Sequence, residues 1–173
     1  MSTTDIREQL QKAISRSTDV LHEGETIKDR KERLSKIKDV PKKLKDMNTR
    51  TVEFDADKAE RWLESNKNNR PVTRGNYESF GNKMKTGEFR TTSQGVSIDK
   101  KGRLQDGQHR LLGVLHYYRL CSENGAKAKP IKLRVTEGEE TNFEFFDQGK
   151  NRTTADVLAI EGVDFAPFSE HNR

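Results

Sequence analysis

The expected fold is set by one run of residues, Leu104-Gln105-Asp106-Gly107-Gln108-His109-Arg110-Leu111. A strand-like run precedes it at residues 96–99, and an apolar pattern with helical spacing follows it through residue 118. The run therefore predicts a strand, a turn and a helix in succession. Gly107 stands where the turn needs an unhindered backbone. Residues 108–110 then fall in the first turn of the helix.

This junction has the composition of a phosphate site. The first turn of a helix directs backbone N–H groups and the positive end of the helix dipole outward, and His109 and Arg110 add polar side chains there. Such a helix start binds anions, phosphate above all. The alternative is structural: Asp106 caps the helix, and His109 and Arg110 are ordinary polar residues. We favour the functional interpretation because five such residues stand together.

The composition bounds the class of protein. The chain has 173 residues, of which 35% are charged and 30% hydrophobic, so we expect one domain of ordinary size plus an extension. Its formal charge of +5 permits a nucleic-acid or nucleotide partner. The single cysteine, Cys121, cannot form an internal disulfide, and no apolar run resembles a membrane span or a signal peptide. We therefore expect a cytoplasmic protein without membrane contact.

Three parts of the chain differ in their proportions of apolar and charged residues. Residues 1–48 carry thin apolar stripes among many charges, which predicts a charged helical extension. Its basic helices are either a surface or oligomerising pair, which leaves a homodimer open, or a contact with DNA. Residues 49–162 hold most of the apolar density and predict the domain, and residues 163–173 predict a tail. We expect the extension to be dispensable for folding of the domain.

Short strands alternate with helices along the predicted domain. Apolar alternation predicts strands over residues 51–54, 96–99 and 131–135. Helical spacing and end signals predict helices over residues 56–65, 73–87, 108–121, 139–146 and 154–160. The order predicts an α+β fold, a small mixed sheet with surrounding helices. Trp62 and Cys121 are predicted to be buried structural residues.

A second polar cluster, residues 147–153, stands before the last predicted helix. Its Asp147 and Arg152 repeat the chemistry of Asp106 and Arg110. We expect both clusters to line one pocket, with two guanidinium groups for a polyphosphate and two carboxylates for a metal ion. The alternative is that a threonine caps the last helix and Arg152 makes a surface ion pair.

The run from Gly102 to Leu111, Gly-Arg-Leu-Gln-Asp-Gly-Gln-His-Arg-Leu, resembles the signature turn of the ParB/sulfiredoxin superfamily. In that superfamily a glycine-rich turn ending in His-Arg or Arg-Arg opens a helix and binds nucleotide phosphates. Residues 69–72, 87–89 and 147–153 also resemble phage and plasmid-borne ParB-like proteins. The resemblance covers about residues 49–160. It implies a ParB/sulfiredoxin-like fold and a nucleoside triphosphate ligand, ATP or CTP, with Mg²⁺.

The residues and the resemblance together indicate a set of site residues. Those expected to bind the nucleotide phosphates are Gly107, Gln108, His109, Arg110, Arg70 and Arg152. Asp106 and His109 are expected to be catalytic, with Asp106 acting as a base or a metal ligand. Asp106 and Asp147 are the expected Mg²⁺ ligands. A zinc site is not expected, because His109 and His116 lack a second pair of ligands at a suitable spacing.

Activity varies within the superfamily, which includes CTP-binding partition clamps, an ATP-dependent sulfinic acid reductase, a free-serine kinase and proposed nucleases. Sulfiredoxin has its catalytic cysteine in the turn where this chain has Gln108, which argues against reductase chemistry. We also do not expect the helix-turn-helix region that follows the domain in partition proteins, and therefore do not expect a partition clamp of the usual kind. Two functions remain: an NTPase or phosphotransferase linked to nucleic-acid metabolism, of phage type, and a non-catalytic nucleotide- or DNA-binding regulatory module.

Overall fold

The structure, a computed structural model, describes residues 3–67, 69 and 71–139. This part of the chain contains five helices and four strands in the order α1 Thr3–Thr18, α2 Ile27–Ser35, β1 Asn48–Phe54, α3 Ala56–Leu63, α4 Arg74–Thr86, β2 Val96–Asp99, β3 Leu104–Asp106, α5 Gln108–Glu123 and β4 Ile131–Glu139. The predicted α+β class is confirmed. The helices predicted after residue 139 lie outside the described residues, as do Arg70, Asp147 and Arg152.

The four strands form one mixed sheet in the order β1-β4-β2-β3. β4 lies in the centre, antiparallel to β1 and parallel to β2, and β3 closes the other edge antiparallel to β2. Leu133 pairs with Val52 and Val135 pairs with Val96, so the apolar positions of three strands line up. The apolar alternation over residues 131–135 thus predicted a strand where β4 is found. The alternation arises because this strand buries one face against the helices.

Helix α5 is the centre of the core. Leu111, Leu112, Val114 and Leu115 are all fully buried, and α1, α3 and α4 pack around the helix. α4 comes close to it because Gly113 leaves no bulk in the way: a Cβ there would lie 2.6 Å from the Cβ of Phe80. The helix that begins at the predicted site therefore also organises the packing of the described residues.

Local end signals in the sequence match the observed start of α3 and the observed end of α4, whereas α3 ends at Leu63 rather than residue 65 and Thr73 makes no side-chain cap on α4. Asp55 caps α3 by accepting from the backbone N–H of Lys58, at 2.8 Å. α4 ends at Gly87, whose φ of 76° is left-handed, as the sequence predicts. Trp62 is buried, edge-on to Phe54 at 4.9 Å between ring centroids, which confirms it as a core residue. The single cysteine is likewise buried and carries a free thiol.

The first two helices are part of the packed structure. We expected a separate extension ending at residue 48, but Leu10, Ala13 and Ile14 of α1 belong to the same hydrophobic core as α5. The described residues fall within one compact unit that begins at the first helix. The apolar stripe of α1 looked thin because the helix buries only one narrow face. Among the described helices, none combines the length and the apolar composition that crossing a membrane requires.

Candidate functional site

The turn between β3 and α5 depends on Gly107. This residue has a φ of 98° and occupies the N-cap position of α5. A Cβ at Gly107 would lie 2.9 Å from the Cα of Val96, so both the conformation and the space exclude a larger residue. Asp106 ends β3 and does not cap the helix, which has no side-chain cap and no acidic residue in its first turn. The positive end of the helix dipole is therefore not offset by a capping carboxylate.

Asn66, Asn69 and Thr73, which we call the docked segment, bond to this turn. Three hydrogen bonds join them: Asn66 Nδ2 to Gln108 Oε1 at 2.8 Å, Asn69 Nδ2 to the carbonyl of Gln105 at 3.2 Å, and the backbone N–H of Thr73 to His109 Nε2 at 2.9 Å. The backbone N–H of Leu104 also donates to the carbonyl of Ser65 at 3.2 Å. Two distant parts of the sequence thus meet at the amino end of α5, and the bonds hold them in a defined geometry.

His109 joins the docked segment to the helix. Its side chain is buried, and Nε2 accepts the hydrogen bond from Thr73, so a neutral imidazole carries its proton on Nδ1. A phosphate contact or a proton transfer through Nε2 would require Thr73 to release this atom. The bond therefore indicates a positioning role for His109. Its predicted catalytic and phosphate-binding roles stay predictions.

Arg110 lies between Asp106 and the residues before β2. Its Nη1 donates to the carbonyl of Gly95 at 3.2 Å, and its Nη2 donates to Oε1 of Gln94 at 3.1 Å. The guanidinium lies 5.3 Å from the ring centroid of Phe80 and 3.9 Å from a carboxylate oxygen of Asp106. Arg110 is thus oriented by two oxygen acceptors and an aromatic face, where we expected an outward-facing side chain.

Asp106 and Arg110 differ in exposure. The side chain of Asp106 is 43% exposed and that of Arg110 is 14% exposed. An exposed carboxylate next to a fixed guanidinium can hold a hydrated divalent cation while the guanidinium neutralises an anion. Among the described residues, the site therefore brings together Asp106, Gly107 and Arg110, with Gln108 and His109 directed to the docked segment. The contributions expected from residues 70, 147 and 152 lie outside that part of the chain.

Two arginines of the charged extension, for which a DNA contact was one of two alternatives, make internal ion pairs. Arg30 Nε lies 2.6 Å from Glu60, and Arg33 contacts both Glu60, at 3.0 Å, and Asp57, at 2.7 Å. A further hydrogen bond, from Arg33 to Glu25, raises the pKa of Arg33 above its ordinary value. Glu60 is fully buried, so these pairs fix α2 on α3. α2 therefore directs part of its charge inward.

One cluster with the spacing of a metal site lies at this α2–α3 contact. His22, Asp57 and Glu60 bring ligand atoms within 4.8 Å of one another. The Nε2 atom of His22 lies 3.4 Å from a carboxylate oxygen of Asp57. The two carboxylates already hold guanidinium groups, which would have to move before a cation could bind, so the cluster is an ion-pair network. Nothing local in the sequence marks Glu60 as buried, because its partners lie on another helix.

A scan against protein-family models, a search of curated proteins and a search of solved structures each found no match to this chain. The ParB/sulfiredoxin resemblance therefore remains a prediction from the residues of the turn. Function has to be inferred from the geometry at the amino end of α5.

Proposed function

We propose that this protein binds a nucleoside triphosphate with Mg²⁺ at the amino end of α5 and acts on its phosphates, as an NTPase or phosphotransferase linked to nucleic-acid metabolism. The observation that carries the proposal is the docking of Asn66, Asn69 and Thr73 onto the turn at Gly107, over a helix start without a side-chain cap. A helix start of this kind offers partial positive charge to phosphate oxygens.

Arg110 supplies the full positive charge of the proposed site. Its hydrogen bonds to the carbonyl of Gly95 and to Oε1 of Gln94 orient the guanidinium beside the first turn of α5. A planar guanidinium can pair with two phosphate oxygens at once, which suits a phosphate ligand. Arg110 is therefore the residue on which ligand affinity should depend most.

Asp106 would hold the Mg²⁺ ion together with water and phosphate oxygens. Mg²⁺ keeps several waters and commonly uses one or two carboxylates plus substrate phosphates, so a half-exposed Asp106 suits it. The bound ion would supply charge neutralisation during phosphoryl transfer, where placement and electrostatics do most of the catalytic work. Asp147 is proposed as the second carboxylate from the sequence alone.

The ParB/sulfiredoxin-like fold belongs to the same proposal. A mixed sheet with surrounding helices, and a glycine turn that opens the central helix, support it. In this arrangement His109 positions the docked segment by accepting from Thr73. Arg70 is proposed as a phosphate contact from the sequence alone. A direct catalytic role for His109 would follow only if ligand binding releases Nε2.

A ligand screen tests the proposal. ATP, CTP, GTP and ADP, each with Mg²⁺, are added to the protein, and both the melting temperature and released phosphate are measured. We expect one triphosphate to raise the melting temperature, because a ligand that binds only the folded state stabilises it. Arg110→Ala should weaken that ligand about tenfold or more, the effect of losing a hydrogen bond to a charged group. Arg7→Ala, an exposed arginine on α1, is the matched control.

The two readouts separate the outcomes. Stabilisation with phosphate release supports the enzyme, whereas stabilisation without release or transfer leaves a nucleotide-binding regulatory module. No stabilisation by any of the four nucleotides, or equal affinity in wild type and Arg110→Ala, would contradict the proposed site.

A further inference from the structure

Two segments far apart in the sequence form one surface beside the sheet. The loop after α2, residues 38–45, packs against the β2–β3 turn, residues 99–103. The backbone N–H of Leu44 donates to the carbonyl of Lys100 at 3.2 Å. Gly102 has a φ of 75°, and a Cβ there would lie 2.7 Å from the carbonyl oxygen of Pro41. This close approach fixes the backbones of both segments relative to each other.

This surface is rich in lysine. Its lysines are exposed, and they are Lys38, Lys42, Lys43, Lys45, Lys100 and Lys101. Lys42 pairs with Asp39 at 3.0 Å, and Asp39 also pairs with Arg61 at 3.2 Å. Within the part of the chain that the structure describes, Lys38, Lys43, Lys45 and Lys101 make no ion pair with a carboxylate. The surface therefore carries more positive charge than its acids offset.

The acid in the β2–β3 turn is directed inward. Asp99 is buried, and its Oδ1 accepts from the backbone N–H groups of Lys101 and Arg103, both at 2.8 Å. Its Oδ2 accepts from Arg103 Nε at 2.7 Å. Asp99 thus shapes the turn from inside and leaves the lysines on the outside. Asp46 is the exposed carboxylate that flanks the surface along the chain.

The positive field extends beyond the loop. The pKa of Lys58, on α3, is lowered mainly by burial and then by the charge of Arg50, with a smaller contribution from Lys38, while Asp55 and Glu53 oppose the shift. Repulsion among cations that folding holds close together has a cost, which a bound polyanion would remove. Val40 is buried next to the lysines and anchors their loop in the core, so the charges stand on a fixed backbone.

We propose that this lysine surface binds the phosphate backbone of nucleic acid without reading its sequence. Lysines act as point charges toward phosphates, and contacts to the backbone supply non-specific affinity. An interface with a folded acidic protein would need a central apolar patch, whereas Met47 is the large exposed apolar residue beside these lysines. The surface shares no residue with the nucleotide site proposed above, so an experiment can disprove one proposal without affecting the other.

Salt-dependent binding tests the proposal. Binding of a labelled random-sequence duplex of about 20 base pairs is measured by anisotropy across a range of salt concentrations, where each phosphate contact contributes about −0.9 to the log–log slope. The variant carries Lys42→Gln, Lys43→Gln, Lys45→Gln and Lys101→Gln. We expect the slope to fall in magnitude by about 3 to 4 and the affinity at low salt to fall at least about tenfold.

Two controls make the result specific. Lys12→Gln, Lys83→Gln, Lys85→Gln and Lys127→Gln together remove the same charge from exposed lysines elsewhere and should leave the slope nearly unchanged. Replacing the four surface lysines by arginine should retain binding, because charge is preserved. Equal losses in both glutamine variants, or no duplex binding by the wild type at low salt, would overturn the proposal. So would equally tight binding of polyglutamate, which would assign the surface to an acidic protein.

Discussion

Gly107 joins β3 to α5 with a φ of 98°, and its missing side chain leaves room for Val96. Gly107→Ala should lower the free energy of unfolding by about 2–4 kcal/mol, since it adds backbone strain to a steric clash. Gly24→Ala is the matched control: Gly24 has a φ of 77° but nothing within 4 Å of a Cβ, so its cost is the strain alone, about 1 kcal/mol. Urea unfolding measures the free energy of unfolding of both variants. Equal losses of stability in Gly107→Ala and Gly24→Ala would show that Val96 moves aside.

His116 gives the protein a defined response to mild acid. Burial lowers the pKa of its imidazole below the ordinary 6.5. As the pH falls through 6.5, the unfolded chain takes up a proton on this residue that the folded protein does not, so stability should fall. His116→Gln should flatten the dependence of stability on pH in this window. An NMR titration that gave His116 a pKa at or above 6.5 would contradict this prediction.

Single residues were predictable from sequence where their cause is local. Gly107 was expected in the turn because a glycine between a strand and a helix pattern commonly provides a left-handed backbone, and Trp62 was expected in the core from its helical spacing. The roles of Gln108 and His109 were not, because their hydrogen-bond partners, Asn66 and Thr73, lie far away in the sequence. The burial of Glu60 was hidden for the same reason.

Helices α1 and α2 are predicted to be essential for folding, contrary to the boundary expected from the sequence. Removing residues 1–47 exposes the surface that Leu10 and Ile14 cover, at about 1.5–3 kcal/mol for each side chain. It also removes the buried side chains of Leu34 and Val40, at a similar cost for each, together with Arg30 and Arg33, the ion-pair partners of Glu60. The sum rivals the whole stability of a typical domain, so the shortened chain should lack a cooperative melt by circular dichroism.

A graded version of this experiment keeps the chain intact. Leu10→Ala and Ile14→Ala should each lower the free energy of unfolding by about 2–5 kcal/mol, as buried large-to-small substitutions do. A cooperative, wild-type-like melt of the chain lacking residues 1–47 would show that these helices cover the domain without stabilising it.

Periodicity predicted most elements but not all. β1, β2 and β4 were found because each alternates or runs apolar against the core, and α3, α4 and α5 because their buried faces recur at helical spacing. β3 was missed since it has only three residues, two of them polar, and exists through its pairing with β2. α1 was placed in an extension because an amphipathic stripe does not reveal what it packs against.

At the scale of the whole molecule, α5 serves both the core and the proposed nucleotide site. Leu111, Leu112, Val114 and Leu115 of α5 are fully buried, and the first turn of the helix carries Gln108, His109 and Arg110. The three residues of β3 connect that turn to the lysine surface, a span of about 10 Å. A nucleotide and a nucleic-acid backbone could therefore bind at opposite ends of one short strand. Arg110→Ala should weaken nucleotide binding without weakening duplex binding, and replacing the surface lysines by glutamine should do the reverse.

The most direct test of the proposed nucleotide site is an amide NMR titration of the ¹⁵N-labelled protein with ATP or CTP in the presence of Mg²⁺. We predict that the largest shift changes fall on the backbone amides of Gly107, Gln108, His109 and Arg110, with a further change at Thr73, whose N–H contacts His109. Inorganic triphosphate should produce the same changes at the turn. Unchanged amides at the turn with saturating nucleotide, or changes confined to the lysine surface, would contradict a nucleotide site at the amino end of α5.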